Sequence, residues 1–441
     1  VNLNKKLFLL IVIAISMRVI FLYPVLKNPE LSIHNDTSSY EKIAENLISG
    51  NGYSHCESAI YYTDVIRTPT YPFFLATLYS CIHHSNKPVV LIQILLGVFT
   101  VIMIYYLSRS IFTERIGFIS GLLVGIDGHL ITYNGVLTTE TLFTFLLVLV
   151  LLLVYSKKKM AIYFLGPLLT LWILTRPIAL YLIPFIIFGA ILYWRQTQRL
   201  NKERIQILGL SMMMGIIMFF PWGYKYYNTT GHIGISAISS YNLYLTFANS
   251  HLAYTRGINE NDNRELLIKN MENTIYNDCS NDYRYIMEMN KKGRSYLLNN
   301  FWSYALYHLK STKSAVLPEV TILLEKWNYT QGNRGTLAVL NTDGILAGVK
   351  HYFKNFSDGL WVVLPLTFFW ILTAGGFVYG LLISKEKKIT ILIMLIIFYF
   401  LIIPGPASTP RFLTPVVPFI CIISGLGIDR VFHTIRNRLF R

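Results

Sequence analysis

The sequence predicts an all-helical polytopic membrane protein with about ten spanning helices, and three observations carry that expectation. Hydrophobic residues make up 53% of the 441 positions and charged residues only 14%, too apolar a balance for a water-soluble fold. Apolar stretches long enough to cross a bilayer recur along the chain. Lys and Arg gather in alternate short connections, the bias that orients membrane helices.

The first stretch, 7–26, is followed by no small-residue cleavage site and reads as a retained span. Further spans are expected at 88–110, 115–131, 138–156, 161–175, 178–195, 206–222, 360–383, 388–404 and 411–430. The apolar segment 71–82 is short for a span, and counting it as one would place the Lys157-Lys158-Lys159 and 195–204 basic clusters outside. It is therefore expected as a re-entrant or interfacial helix within a long first outer loop, 27–87, that carries juxtamembrane helices.

Lys5-Lys6, Arg109 with Arg115, the two clusters just named, Lys385 with Lys387-Lys388, and the basic tail from Arg436 all then face the cytoplasm, as do both termini. Three regions follow: a transmembrane module over 1–222 including the first outer loop, a larger, mainly helical extracytoplasmic segment over 223–358, and C-terminal transmembrane helices with a basic cytoplasmic tail over 359–441. Within the second region, charged residues alternate with Ile286, Met287, Tyr296, Leu297, Phe301 and Trp302, the pattern of amphipathic helices lying on a membrane surface. Loop charge accounts for much of the net +16, so the expected partners are membrane lipids and not nucleic acid.

Cys81 and Cys421 sit in apolar stretches and are expected to be buried thiols. Cys56 and Cys279 both fall on the outer face, where a disulfide is chemically permitted.

Candidate chemistry gathers at outer helix ends. Asp36 precedes a helical run just beyond the first span, where its carboxylate serves either as a helix cap or as a base. Arg67, in Arg67-Thr68-Pro69-Thr70-Tyr71-Pro72, has Asp64, Glu57, Asp36 or a substrate phosphate as candidate partners. Glu140 enters an otherwise apolar helix, either as a functional charge or at a helix start capped by Thr138 or Thr139. Arg176, Lys225 and Arg411 are cations on the weakly charged side and need a local reason: lipid phosphate, a carboxylate, or a phosphorylated substrate. Asp127, His129 and Glu140 supply oxygen and nitrogen ligands for a divalent metal if the fold gathers them, which leaves metal use open.

The D-x-x-x-Y element at 36–40, the Arg67 motif, Thr139-Glu140-Thr141-Leu142-Phe143, Thr175-Arg176-Pro177, Pro221-Trp222-Gly223-Tyr224-Lys225 and Arg411-Phe412-Leu413-Thr414-Pro415 together resemble the GT-C superfamily of membrane glycosyltransferases. Within it they look most like the protein-mannosyltransferase-like and lipid A aminoarabinose-transferase-like branch, which draws on polyprenyl-phosphate sugars. The resemblance implies Asp36 as the catalytic residue activating an acceptor, and Arg67, Arg176, Lys225 and Arg411 around the donor phosphate. His34, Tyr40, Tyr71, Glu140, Tyr241 and Asn242 are the supporting or substrate-binding candidates. Two departures stand out: lysine at 225 where arginine is common, and a single aspartate in the first loop where eukaryotic protein mannosyltransferases carry an Asp-Glu pair.

The implied function is transfer of a hexose or pentose from a polyprenyl-monophosphate donor to a glycolipid, polysaccharide or other cell-envelope acceptor. The implied location is the bacterial inner membrane, with the site facing the periplasm or cell exterior. Two alternatives come from other classes: an O-antigen ligase or polymerase, and a flippase without covalent chemistry. The ligase reading expects key residues in the large late loop instead of at Asp36. The flippase reading expects charges at the bilayer midplane.

Overall fold

The computed structural model describes residues 5–34, 36–56, 62–82, 85–269, 271, 283–329, 344–355 and 357–439. Every regular element among them is helical. Five helices are long and apolar enough to cross a membrane: Asn86–Ile111, Pro177–Gln196, Lys202–Thr230, Leu360–Ile383 and Val417–Arg438. A bent pair, Glu114–Ile126 and Gly128–Asn134, makes a sixth if it is one span. The remaining four predicted spans correspond to shorter helices: Lys5–Phe21, Glu140–Tyr155, Met160–Ile173 and Lys387–Ile402. The chain is an integral membrane protein.

The bundle core is built from side chains that the apolar helices turn inward, among them Phe143, Trp172, Trp194, Phe400 and Phe419. Phe143 and Trp172 stack with centroids 5.1 Å apart. Leu360–Ile383 and the last helix approach backbone to backbone. A Cβ on Gly380 would stand 2.1 Å from the Ile423 carbonyl oxygen, and one on Gly427 would stand 2.0 Å from that of Gly376. Small residues permit this approach where apolar burial alone gives helices in lipid no preference for one another.

The span expected over 115–131 is broken. Its two helices meet at an angle of 52°, with Asp127 in an extended conformation between them. Asp127 caps the second piece, accepting from the Leu130 amide at 3.1 Å. The Gly125 carbonyl, near the end of the first piece, accepts a hydrogen bond from fully buried Arg18 at 3.0 Å. Side chains thus supply the partners that the helix break removes.

Two further expectations are corrected. The helix expected to end near 222 continues to Thr230 with Pro221 inside it, and stops where Gly231 takes φ 73°, so Lys225 lies within a helix and not beyond its exit. Cys81 is exposed at the end of the 13-residue helix Thr70–Ile82, because the apolar stretch around it is a short helix buried on one side only. Cys421 is buried, whereas Cys279 and Glu57 lie outside the described residues.

The 223–358 segment shares a separate core with Val65 of the 27–87 loop, built from Tyr226, Tyr244, Leu245, Leu267, Tyr285, Ile286 and Met289. The helix Tyr283–Asn299 therefore packs on protein, while Phe301–Ser311 buries none of its side chains and leaves Trp302 79% exposed. Both helices expose large apolar side chains, Met287 and Leu298 on the first and Phe301, Trp302, Leu306 and Leu309 on the second, where they are denser.

Candidate active site

Prolines and helix ends fix the backbone at Asp36, Glu140, Arg176 and Arg411. Arg176 is extended (φ −149°, ψ 124°), as steric conflict with the ring of Pro177 demands, and Pro177 opens a 3-10 turn. Arg411 follows Pro410 in the 3-10 turn Pro410–Leu413. The segment before the short helix Thr70–Ile82 latches onto the end of Leu165–Ile173. Thr68 Oγ1 donates to the Thr175 carbonyl (3.0 Å), and the Thr70 amide donates to the Leu174 carbonyl (3.1 Å). That latch brings Arg67 to the same end of the bundle as Arg176.

Asp64 shapes the turn that carries Arg67. Its Oδ1 accepts from the amides of Ile66 and Arg67, both at 2.7 Å, and its Oδ2 meets His55 Nδ1 at 2.5 Å. The Arg67 guanidinium lies 4.9 Å over the Tyr40 ring and donates to Asp36.

The result is a chain of alternating charge. Arg67 Nη2 donates to Asp36 Oδ1 at 2.9 Å, and Arg411 Nη1 to Asp36 Oδ2 at 2.6 Å. Arg411 Nε donates to Glu140 Oε1. Arg176 Nη1 reaches the same oxygen at 2.5 Å and its guanidinium faces the rings of Phe143 and Phe412. Three guanidinium groups against two carboxylates leave the array with one excess positive charge. Glu140 is completely buried, at the first turn of its helix.

Asp36 does not act as a simple cap. Asp36 stands at the N-cap position of Thr37–Ile48 but its side chain makes no capping bond, and its backbone carbonyl accepts from Ser39 Oγ. Thr139, at the corresponding position before Glu140, makes no side-chain cap either. Burial acts to raise the Asp36 carboxyl, and the charges of Arg67 and Arg411 outweigh it, holding the group well below the usual carboxylate range. His34 is pushed below its ordinary value by burial and by the cations Lys326 and Arg411, so its imidazole is neutral near pH 7.

Asp36, Arg67, Arg176 and Arg411 of this charged chain line a cavity of about 1000 Å3, shared with Tyr40, His55, Thr139, Tyr241, Asn242 and Arg264. One wall is apolar, formed by Ile178, Leu180, Tyr181, Phe247, Ile403 and Phe412. Tyr71 lies behind the cavity, edge-on to Tyr40 at 5.2 Å, with its hydroxyl donating to Gln93 Oε1 at 2.9 Å. Lys225 stands apart from the guanidinium groups, with Nζ 5.2 Å over the Tyr53 ring. Asp127 and His129 pair with each other at 3.5 Å, whereas Glu140 is engaged by arginines. Among the described residues, no group of three or more His, Cys, Asp or Glu side chains is gathered for a metal ion.

His55 and Arg264 line the cavity without having been singled out from the sequence. Arg264 donates to the Tyr241 hydroxyl and lies 5.4 Å over its ring. Neither has a neighbouring motif to mark it; Arg264 is one charged residue among several in the polar helix Glu260–Lys269.

Residues 67–224 match a family model described as dolichyl-phosphate-mannose-protein mannosyltransferase. No curated protein matches the chain by sequence. Among solved structures, the chain is similar to the Archaeoglobus fulgidus oligosaccharyltransferase tethered with an acceptor peptide containing the NVT sequon, with a TM-score of 0.53, 13% identity, and coverage of 98% of this chain and 50% of that one. The A. fulgidus protein in complex with an inhibitory peptide and a dolichol-phosphate matches with TM-score 0.53, 13% identity, and coverage of 98% and 51%. ArnT from Cupriavidus metallidurans bound to undecaprenyl phosphate matches with TM-score 0.49, 13% identity, and coverage of 96% and 60%. The chain thus spans about half the length of the archaeal enzyme whose fold it shares.

Proposed function

We propose that this chain, which has the GT-C fold, is an integral-membrane glycosyltransferase that moves a sugar from a polyprenyl-monophosphate donor to a cell-envelope acceptor on the extracytoplasmic face of the bacterial inner membrane. The observation that carries the proposal is the convergence of Arg67, Arg176 and Arg411 with Asp36 at one cavity that also has an apolar wall. Guanidinium groups suit a phosphate through paired N–H donors, and the apolar wall suits a prenyl chain. The family match over residues 67–224, to a class described by a dolichyl-phosphate-linked sugar, supports the same donor chemistry.

In this reading the acceptor hydroxyl is deprotonated by Asp36 as the anomeric carbon gains oxocarbenium character, and the arginines stabilise the charge that builds on the departing phosphate. A single displacement inverts the anomeric centre. Glu140 holds Arg176 and Arg411 in place and does not itself meet the sugar. Residues 27–87 and 223–358 lie outside the cytoplasm, as the positive-charge bias requires.

Mass spectrometry of lipid extracted from the purified protein tests the donor. A polyprenyl phosphate or its glycosylated form is the expected species. Absence of any such lipid, together with no thermal stabilisation on adding undecaprenyl phosphate, overturns the proposal.

A further inference from the structure

Both oxygens of Asp36 are already engaged: Oδ1 by Arg67 at 2.9 Å and Oδ2 by Arg411 at 2.6 Å. A carboxylate clamped between two guanidinium groups is a poor proton acceptor, because the proton it would take has to displace an N–H donor or sit against a positive charge. His34, two positions away, is also a poor acceptor, lowered by burial and by the charges of Lys326 and Arg411, and on the cavity wall His55 and Asp64 are engaged with each other. The resting site therefore holds its base out of action. Yet the N–H groups that quench Asp36 belong to two of the four arginines facing the cavity.

Glu140 adds the second half of the device. It bonds Arg411 through Nε and Arg176 through Nη1, so Arg411 stays anchored when its Nη1 lets Asp36 go. A fully buried carboxylate at a helix start is costly to place, and holding Arg411 at a second point gives it a role.

Resting on the donor reading above, we infer that the donor phosphate and Asp36 compete for the same N–H groups of Arg67 and Arg411, so that donor binding itself releases Asp36 to act as the base. Binding is then ordered, donor before acceptor activation. In the transfer step, the acceptor O–H proton goes to Asp36 while the acceptor oxygen bonds the anomeric carbon. The bond from that carbon to the phosphate oxygen breaks, and its electron pair leaves with the lipid phosphate. That product carries one more negative charge, shared among the three arginines. When it departs, Arg67 and Arg411 return to Asp36 and drive its proton to water, which resets the site.

The competition has a sign that distinguishes it from ordinary phosphate binding or a structural role. Undecaprenyl phosphate, without a sugar, is titrated against the purified full-length wild-type protein and Asp36→Asn in detergent. Removing the competing charge is expected to tighten binding by about tenfold. In parallel, infrared difference spectra of wild type labelled with 13C-aspartate are expected to show a carboxylate band that shifts on adding the same probe. This second measurement needs no variant to fold. A wild type that binds the probe while Asp36→Asn binds it no more tightly, or with no shifted aspartate band, overturns the competition. A wild type that does not bind the probe at all overturns the donor reading instead.

Discussion

Arg411 and Asp36 lie 375 positions apart in the chain and 2.6 Å apart in space. The contact ties the start of the helix Thr37–Ile48 to the 3-10 turn ahead of the last spanning helix, so the site forms only when segments from early and late in the chain meet. Arg411 uses two different nitrogens for its two carboxylates, Nη1 for Asp36 and Nε for Glu140. A lysine ammonium keeps the charge and loses this fork. Arg411→Lys is therefore expected to lower turnover by about 100-fold, near the value lost with a preorganised charge-stabilising donor. Steady-state transfer assays check it, and a lysine variant with normal turnover would show that charge alone suffices.

Asp36→Asn keeps the shape and removes the proton acceptor. Because the Asp36 side chain makes no capping bond, the helix Thr37–Ile48 loses no cap in this variant. Turnover is expected to fall by about 100-fold or more, the usual worth of a general base, with expression retained. Normal transfer activity in the variant would reduce Asp36 to an ion-pair partner.

The same ion pairs set a pH signature. The folded-state pKa of Asp36 is depressed, so its contribution to stability is fully present above the unfolded value of about 3.9 and is lost as pH falls below that, towards the folded value. The difference in melting temperature between wild type and Asp36→Asn is expected to be largest above about pH 5 and to shrink as the pH is lowered past about 4. Thermal unfolding in detergent across that range measures it. A difference that grows on acidification contradicts the pairing.

Several parts of this site were legible in the sequence for a physical reason. Asp36, Glu140, Arg176 and Arg411 are charges placed where apolar helices begin or end, and two of the arginines stand beside prolines that dictate their backbone; such charges need partners. The sequence leaves capping open at both helix starts, and only side-chain geometry answers it. Lys225 was less legible, since Pro221 suggests a helix end and the helix passes through it to Thr230. His55 and Arg264 reach the cavity through tertiary packing of polar loops and helices, which leaves no periodic or motif trace. The break at Asp127 was hidden because the stretch 115–131 is apolar enough to read as one straight span, and the buried Arg18 that satisfies the break comes from another helix.

Glu140→Gln removes the fully buried charge that holds two arginines. The arginines keep their charges and lose a shared partner, so destabilisation of about 3 kcal/mol is expected, the lower end for breaking one side of a buried pair. Part of the guanidinium surface faces the cavity, which limits the loss. Donor binding should weaken as well, because Arg176 and Arg411 are no longer held in place. Denaturant unfolding and phosphate titration on the same variant check both effects, and an unchanged protein would show that Glu140 is dispensable to the array.

Arg18 offers a test of the fold independent of the chemistry. Its Nε donates to Asn134 Oδ1 at 2.6 Å and its Nη1 to the carbonyls of Ala14 and Gly125, both at 3.0 Å, which joins the first helix to both pieces of the broken span. Gly97 leaves room for that joint. A Cβ there would stand 2.3 Å from Asn134 Oδ1 and 2.8 Å from Arg18 Nε. Both neighbours are held by hydrogen bonds inside the bundle, so neither can move aside cheaply. Gly97→Ala is therefore expected to destabilise the protein by about 1–3 kcal/mol, the range for overpacking a core. Gly209, inside the helix Lys202–Thr230, is the control: nothing lies within 4 Å of an added Cβ. Gly209→Ala should stabilise by up to about 1 kcal/mol through helix propensity alone. Opposite shifts in melting temperature for the two glycine substitutions are the expected outcome; a stabilised Gly97→Ala would mean that the Arg18–Asn134 pair does not sit against residue 97.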